Sequence, residues 1–359
     1  MGIILYSIEE MVVMSLMYSR IKKERFTVPV FNHLLLSEVF KVSLEKEMSL
    51  FDRNNIVELV GIAVDRCKER HPDMNFEKCA KELRGFLSAF NYRKAIREAK
   101  SELDTARRKK INVITYLDEN YPESLKNLEI PPFVLYIIGN LPSKEVLDKS
   151  LSIIGARNLE RKHGAKIAHE IGEILLDRGW YNVGGLTAGC GEYGHRASIG
   201  ATGAILGQGL ATPIFPLENK ELAKEIIENN GFIMSELPPS IKLNPVGVVA
   251  RDRLQSGLTQ GIIVVETSQS SGIMRAVKYA LNQEKEVIVV DMKKYEDEIE
   301  NKKDIMGNIA LLDSQNHLST NVEISVEEKS KIIGISEKED LLSLLEELER
   351  ENTLEREIA

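Results

Sequence analysis

The 359-residue sequence has few cysteines and no excess of positive charge. Its three cysteines, Cys67, Cys79 and Cys190, are an odd number without the C-x-x-C spacing of a zinc site. Neither a disulfide framework nor a structural zinc site is therefore expected, and a reducing cytoplasm suits the chain best. The formal net charge of -8 excludes a uniformly basic surface, because non-specific binding to nucleic acid rests on many Lys and Arg contacts with phosphate. A nucleic-acid site would have to be a local patch.

Long hydrophobic runs are also missing. Residues 1–17 are fairly apolar, but Glu9 and Glu10 interrupt them and no basic segment comes first, which tells against a signal peptide. Elsewhere no apolar run approaches the ~20 residues that a membrane helix needs. The six histidines are scattered without ligand spacing, so we expect neither a metal nor another cofactor. The sequence predicts a soluble, cytoplasmic protein that does not enter a membrane.

The length of the chain indicates about two domains with attachments. An N-terminal domain is predicted to be helical, because apolar residues recur there at spacings of three and four. The C-terminal part is rich in charge, with a predicted strand at 331–335 and a predicted helix at 338–352, which could pack on a sheet edge or pair with another chain. The predicted division is a helical domain over 1–110, a bridging segment over 111–150, an α/β domain over 151–291, and a C-terminal extension over 292–359.

Short apolar runs alternate with amphipathic stretches between residues 151 and 291. This alternation predicts a doubly wound, mostly parallel α/β sheet, in which ligands bind outside the carboxyl ends of the strands. The predicted strands are 151–154, 180–183, 203–206, 232–234, 262–265 and 287–290, and the predicted helices are 164–177, 192–199, 217–229 and 272–282.

Glycines follow the first two predicted strands. Gly155-Ala156-Arg157 comes after the first, and Gly164 opens the next helix. The second runs into four glycines within residues 184–191, ahead of a helix that carries His195. Each glycine alone is more often a tight turn, but the glycine loop between strand and helix has the form of an anion site. It matches neither a Walker A loop nor the dinucleotide G-x-G-x-x-G spacing.

Later strand ends continue the pattern with small, polar or arginine residues, any one of which could be a surface turn. The paired arginines of Arg251-Asp252-Arg253 are predicted to begin a helix. His195 could contact a base or ribose, or could simply be packed. Glu236 and Glu266 could act as a general acid and base, although strand-end carboxylates more often bind hydroxyls or cap a helix. The other strand-end motifs are Gly207-Gln208-Gly209, Asn219, Ser235-Glu236 and Ser270-Ser271-Gly272.

The order of these motifs resembles one family, the DNA-processing proteins called DprA or Smf, which belong to a wider Rossmann-like nucleotide-binding superfamily. The resemblance covers residues 122–291, about half of the chain. It is carried by Tyr121-Pro122-Glu123-Ser124-Leu125, Pro132 to Gly139, Gly155-Ala156-Arg157 with Gly164, Gly185-Leu186-Thr187-Ala188-Gly189 with His195, Gly207-Gln208-Gly209-Leu210, Phe215-Pro216-Leu217-Glu218-Asn219, Ser235-Glu236, Arg251-Asp252-Arg253 and Ser271-Gly272.

The resemblance implies a non-enzymatic protein that binds single-stranded DNA in a basic pocket at the sheet edge. It further implies a homodimer that delivers DNA to a RecA-type recombinase during natural transformation. The pattern of strand ends and the resemblance together predict that phosphate is bound by Gly155, Arg157, Gly164, Gly185, Leu186, Gly189, His195, Gly207, Asn219, Ser235, Glu236, Arg251, Arg253, Ser271 and Gly272.

The sequence departs from the family pattern in several places. Gly191 stands where the family usually has Asp, Asp252 stands where it has Asn between the arginines, and Val248-Val249 replaces Phe-Pro. The usual C-terminal winged-helix pattern is missing from residues 292–359. An alternative is therefore a nucleotide sensor or nucleotide-processing protein of the same superfamily, in stress or phage defence. Residues 270–275 lack the Pro-Gly-Gly-x-Gly-Thr signature of its hydrolases, which disfavours that branch.

Overall fold

A computed structural model describes residues 5–20, 29–157, 162–295, 302–313, 315 and 320–358. The chain forms two compact units. Unit 1 comprises residues 1–136, 208–212 and 236–242, and unit 2 comprises residues 137–207, 213–235 and 243–359. Within the described ranges, no helix combines the length and the apolar character needed to cross a membrane.

Unit 1 is mainly helical, which confirms the predicted succession of helices at the N-terminus. Its core includes the Phe40 ring, which lies 5.3 Å from the ring of Tyr116 and 5.1 Å from that of Phe133 between centroids. Its elements are α1 (Ile8–Arg20), α2 (Pro29–Glu45), α3 (Ile56–Arg70), α4 (Glu77–Ser88), α5 (Tyr92–Arg108), β1 (Asn112–Thr115) and α6 (Glu123–Lys126), and β2 (Val134–Gly139) follows at the boundary with unit 2.

Unit 2 contains the remaining strands and helices. The strands are β3 (Ser150–Ile154), β4 (Tyr181–Gly185), β5 (Thr202–Ile205), β6 (Phe232–Ser235), β7 (Gly261–Val264), β8 (Glu286–Val290) and β9 (Ile332–Ile335). The helices are α7 (Lys144–Leu147), α8 (Lys162–Asp177), α9 (Cys190–Ala197), α10 (Lys220–Glu228), α11 (Pro245–Leu258), α12 (Ile273–Asn282), α13 (Met306–Leu312), α14 (Val326–Lys329) and α15 (Lys338–Ile358).

The strand order of the nine-stranded sheet is β1-β2-β6-β5-β4-β3-β7-β8-β9. All neighbouring pairs from β6 to β9 are parallel. The chain starts this parallel part at β3, proceeds through β4 and β5 to β6, and then returns to place β7 on the other side of β3. The predicted doubly wound, mostly parallel sheet is confirmed. Its topological switch point lies between β3 and β7, where such sheets bind their ligands.

The C-terminal extension packs on the edge of this sheet. Strand β9 pairs in parallel with β8, with Ile332 opposite Val287. Helix α15 buries Leu341 and Leu345 in the same hydrophobic cluster as Leu151 of β3. Of the two arrangements that the sequence left open for this extension, the structure shows the sheet edge.

The predicted start of helix α11 is wrong. The helix begins at Pro245 rather than near Arg251, and the side chain of Asn244 accepts a hydrogen bond of 3.0 Å from the backbone N–H of Gly247. Asparagine at the N-cap and proline in the first turn stabilise a helix start, since the cap oxygen satisfies a free N–H and proline has none to satisfy. Arg251 and Arg253 therefore lie in the middle of the helix.

Candidate nucleic-acid interface

A cavity lies in unit 2 at the carboxyl end of the sheet, at the switch point between β3 and β7. The loops after β3 and β4 form one part of its wall, and α11 and the start of α12 form the other. Its volume is about 60 Å³. It is lined by Ile153, Ile154, Gly155, Arg157, Gly185, Thr187, Val248, Arg251, Asp252, Gln255, Gly272, Ile273, Arg275 and Ala276.

Three arginines from different parts of the chain meet at this cavity. Arg157 follows β3, Arg251 lies on α11, and Arg275 lies in the first turn of α12. Arg251 is 8% exposed, whereas the other two are exposed. Burial lowers the pKa of Arg251, and the charge of Arg157 lowers it further. Guanidinium groups that crowd together at such a site create a strong preference for an anion with several oxygens.

A carboxylate is also present. The Oδ1 atom of Asp252 lies 3.5 Å from Nε of Arg251, and both side chains are largely buried. Burial raises the pKa of Asp252, while the charges of Arg251, Arg157 and Arg275 lower it. Three guanidinium groups against one carboxylate leave two positive charges at the cavity. The site is a basic patch on a chain whose formal net charge is -8.

Gly185 allows Arg251 to pack against the backbone at the end of β4. A Cβ atom at position 185 would lie 2.5 Å from Nη1 of Arg251 and 2.7 Å from Oε1 of Gln255. Neither distance is compatible with a real side chain. A residue larger than glycine would displace the guanidinium, which gives the glycine of this loop a direct steric role.

Gly189 and Cys190 join the β4 loop to the β3 loop. Gly189 has a φ of +72°, a conformation that favours glycine, and a Cβ there would collide with the carbonyl oxygen of Ala156. The backbone N–H of Cys190 donates to that same oxygen at 3.1 Å. The Sγ atom of Cys190 lies 2.5 Å from where a Cβ of Gly155 would be. The side chain of Cys190 thus packs into the space left by the missing side chain of Gly155.

Helix α12 begins at the cavity with Gly272 as its N-cap residue. The helix has ten residues and no acidic residue in its first turn. The positive end of the helix dipole favours an anion at such a start. Arg275 adds a positive charge within the same turn, so the helix start and the three arginines favour the same kind of ligand.

His195 does not reach the cavity, and its predicted contact with a base or ribose is wrong in this structure. The side chain is 1% exposed, and its Nδ1 atom lies 2.7 Å from Oγ1 of Thr202. Because the Thr202 hydroxyl donates to the carbonyl oxygen of Asn182, it accepts the proton of Nδ1. Burial lowers the pKa of His195 to about 4, so the imidazole is neutral at pH 7. It is a packed histidine, the other interpretation that the sequence allowed.

Arg253 also lies away from the cavity, although the sequence paired it with Arg251. Its Nη1 atom donates to the carbonyl oxygen of Ala250 at 2.6 Å, and the residue is 4% exposed. Residues two positions apart on an α-helix point in nearly opposite directions, so both arginines cannot face one ligand. Of this pair, the cavity contains Arg251.

Several other predicted site residues support the loops without lining the cavity. Leu186 is in the core, Asn219 is fully buried, and Gly164 packs against the carboxylate of Glu266. Gly207 lets the backbone of Gly247 approach, since a Cβ there would lie 2.8 Å from its carbonyl carbon. The remaining ones are Ser235, which is the buried last residue of β6, Glu236, which follows it and is also buried, and Ser271, whose Oγ accepts a 3.2 Å hydrogen bond from the N–H of Ile273.

The predicted residues that the structure does bring together at the cavity are Gly155, Arg157, Gly185, Arg251 and Gly272. Thr187, which lies in the loop from Gly185 to Gly189 that carries the resemblance, also lines the cavity. Sequence reasoning missed Gln255 and Arg275 as members of the site. A signal for Arg275 existed, because an arginine three positions after the predicted helix start at Gly272 falls in the first turn. In the part of the chain that the structure describes, no three His, Cys, Asp or Glu side chains are placed to hold a metal ion.

Comparison with known proteins identifies the family. The model of the DNA recombination-mediator protein A family matches residues 112–327, and the chain belongs to this family. The DNA processing protein DprA of Bacillus subtilis is 33% identical over 184 residues, which cover 50% of this chain and 60% of the relative. Protein Smf of Synechocystis is 32% identical over 183 residues, covering 50% and 45%. The matched part thus spans about half the length of these relatives.

Solved structures of similar proteins have the same fold. The DNA processing protein A of Streptococcus pneumoniae gives a TM-score of 0.58 at 18% identity, over 94% of this chain and 98% of the other. The Helicobacter pylori protein, whose structure concerns its mode of binding single-stranded DNA, gives a TM-score of 0.53 at 22% identity, over 66% and 96%. The chain therefore has the fold of these two proteins.

Proposed function

We propose that this protein binds single-stranded DNA and holds its backbone phosphate in the cavity at the switch point. The observation that carries the proposal is the convergence of Arg157, Arg251 and Arg275 with the start of α12. Arginine forks bind phosphate oxygens directly, and the positive end of a helix dipole adds to the attraction. Such contacts fix the position of a nucleic-acid chain without reading its sequence.

The size of the cavity favours a phosphate group over a whole nucleotide. Pockets that enclose small ligands measure about 300–1,000 Å³, and this one measures about 60 Å³. A phosphate of a longer chain fits such a space with its base and sugar outside. This argument supports DNA over the alternative nucleotide sensor.

Membership of the family supports a role in DNA processing during recombination. In that role the protein would act as a homodimer in the cytoplasm and pass single-stranded DNA to a RecA-type recombinase in natural transformation. The site would need no cofactor, because arginines supply the contacts with the ligand.

Fluorescence anisotropy with labelled single- and double-stranded oligonucleotides of equal length, at one stated salt concentration, tests the proposal. We expect tighter binding of the single strand. Arg251→Ala and Arg157→Ala should each weaken it about 10-fold or more, because a hydrogen bond to a charged group contributes roughly 1.5–3 kcal/mol. Arg196→Ala is the matched control, since Arg196 is exposed on α9 and pairs with Glu192 outside the cavity.

Calorimetric titration with mononucleotides separates this proposal from its alternative. Tight binding of a mononucleotide together with no binding of oligonucleotides would overturn the DNA proposal. So would an equal affinity for both kinds of oligonucleotide, or full affinity in both cavity variants.

A further inference from the structure

A second cavity lies in unit 1, within the helical part of the chain. It is formed by the loop before α3, the end of α4 and the start of α5, and its volume is about 390 Å³. This volume falls within the range of pockets that hold small ligands or parts of larger ones. We call it the aromatic cleft, after the rings of Phe51, Phe90 and Tyr92 that line it.

The rings of the aromatic cleft are arranged in contact with one another and are partly open to solvent. The centroids of Phe51 and Phe90 are 6.2 Å apart with the planes at 26°, and those of Phe51 and Tyr92 are 5.3 Å apart. Phe86 extends the group, 5.8 Å from Phe90. Tyr92 is 39% exposed and Phe86 is 40% exposed. Partly exposed aromatic rings are side chains on which a flat ligand can stack.

Positive charge lies beside these rings. Arg53 and Arg93 line the cleft, are exposed, and form no ion pair with any residue that the structure describes. Arg93 and Lys94 lie in the first turn of α5, a helix of 17 residues with no acidic residue in that turn. Positive side chains at a helix start are repelled by the positive end of the helix dipole, and an anion bound there would offset this repulsion.

The position of Tyr92 is fixed by its hydroxyl group, which donates to the Glu10 carboxylate at 2.8 Å. Burial, together with this carboxylate, raises the pKa of Tyr92 to about 12, so the hydroxyl remains a donor at neutral pH. The other carboxylate oxygen of Glu10, Oε2, accepts hydrogen bonds from the N–H and the hydroxyl of Ser7. The ring is thereby oriented before any ligand binds.

We propose that the aromatic cleft binds an unstacked base of single-stranded DNA, with the adjacent phosphate on Arg53, Arg93 and the start of α5. A flat aromatic group joined to an anion is the chemistry of a nucleotide within a strand, and the cleft offers a surface for each. This site is separate from the phosphate cavity of unit 2. The proposal rests on the proposed function in one respect, that the chain binds single-stranded DNA.

Binding of oligodeoxythymidylate and of an abasic oligonucleotide of the same length to the full chain tests the proposal. Tyr92→Ala should weaken binding of oligodeoxythymidylate about 5- to 100-fold, the range that stacking of one base contributes. The same variant should leave binding of the abasic strand unchanged. Tyr92→Phe, which keeps the ring but loses the hydrogen bond to Glu10, should retain most of the affinity. Leu117→Ala is the matched control, because Leu117 is 38% exposed and lies outside the cleft.

Arg93→Ala and Phe86→Ala serve as further variants, and a melting curve of each shows whether it folds. Full affinity for oligodeoxythymidylate in folded Tyr92→Ala and Arg93→Ala would overturn the proposal, as would equal affinity of the unaltered chain for both strands. If the cleft variants keep full affinity while Arg251→Ala and Arg157→Ala lose it, only the proposal for the aromatic cleft is overturned. If Tyr92→Ala loses affinity while Arg251→Ala and Arg157→Ala keep it, only the proposal for the phosphate cavity is overturned.

Discussion

Arg251 and Asp252 are consecutive on α11 and bring opposite charges to the same cavity. Arg251 packs on Gly185, where its guanidinium can meet a phosphate, while the Asp252 carboxylate opposes any anion that enters. The net effect depends on the neighbouring Arg157 and Arg275, which leave the cavity positive. Under the proposed function, Asp252 therefore weakens the binding of phosphate without abolishing it.

Asp252→Asn is expected to bind single-stranded DNA about 3- to 10-fold more tightly than the unaltered chain at neutral pH and low salt, since one repulsive charge is removed. Burial raises the pKa of Asp252, so its carboxylate is protonated at a higher pH than a free aspartate. As the pH falls, the unaltered chain should therefore gain affinity and approach the variant, whose own affinity should change less. Anisotropy titrations between pH 7.5 and pH 5 measure this convergence.

Arg253→Gln, which removes a charge outside the cavity, is the control for Asp252→Asn, and equal melting temperatures show that folding is intact. Weaker binding by Asp252→Asn at neutral pH would contradict the assigned role.

The raised pKa of Asp252 also makes the stability of the fold depend on pH. The folded state holds the Asp252 proton more tightly than the unfolded state does. Protonation of Asp252 therefore adds to the free energy of unfolding below the pKa of the unfolded state, and this stabilisation is lost as the pH rises through the pKa of the folded state.

Individual residues also show what the sequence could not predict. The sequence predicts Arg157 and Arg251 as site residues because Arg157 follows the glycine at the end of the first strand and Arg251 belongs to a pair of closely spaced arginines. His195 follows the glycine loop equally closely, but only the fold shows that its ring turns toward Thr202 behind the strand. For Arg275 the sequence shows only that it falls in the first turn of a helix, because its place beside Asp252 depends on how α11 and α12 pack.

At the scale of elements, the C-terminal extension holds the loop between β7 and α12. The side chain of Asn308, on α13, donates to the carbonyl oxygens of Val265 and Val290 at 2.9 Å and accepts from the N–H of Thr267 at 2.7 Å. Asn321 donates to the carbonyl oxygen of Ser270 at 3.0 Å. The loop that leads to the start of α12 is therefore fixed by residues far along the chain.

Asn308→Ala should lower the free energy of unfolding by about 1–3 kcal/mol, because it leaves two carbonyl oxygens and one N–H buried without partners. It should also weaken binding of single-stranded DNA several-fold, since the start of α12 is less well positioned. Urea unfolding and anisotropy measure the two effects. Asn321→Ala removes hydrogen bonds to exposed groups and should cost less than 1 kcal/mol. Unchanged stability and affinity in Asn308→Ala would contradict this account.

The elements themselves were largely predictable, and the exceptions have physical reasons. Strands β3 to β8 are short apolar runs bounded by turns, and this pattern predicts that they are strands and where they occur along the chain. The sequence places the start of α11 too late because Gly247 and three valines follow Pro245, residues that weaken a helical pattern. The N-cap signal of Asn244 and Pro245 was present, and reading it would have placed Arg251 and Arg253 on different faces.

The whole molecule combines a net charge of -8 with two small basic sites. A strongly basic protein covers many phosphates and loses affinity steeply as salt rises. Here Arg157, Arg251 and Arg275 form one site, and Arg53 with Arg93 forms the other. The number of phosphates that the protein neutralises should therefore be small.

The salt dependence of binding measures that number. For single strands the logarithm of the binding constant falls with the logarithm of the salt concentration by about 0.7 per phosphate contact, so one phosphate in the cavity predicts a slope of about -0.7. A second phosphate at the aromatic cleft would steepen it to about -1.4. Arg275→Ala should make the slope shallower by at most about 0.7, whereas Arg196→Ala should leave it unchanged. A slope steeper than about -5 would require a broad basic surface and contradict binding confined to these two sites.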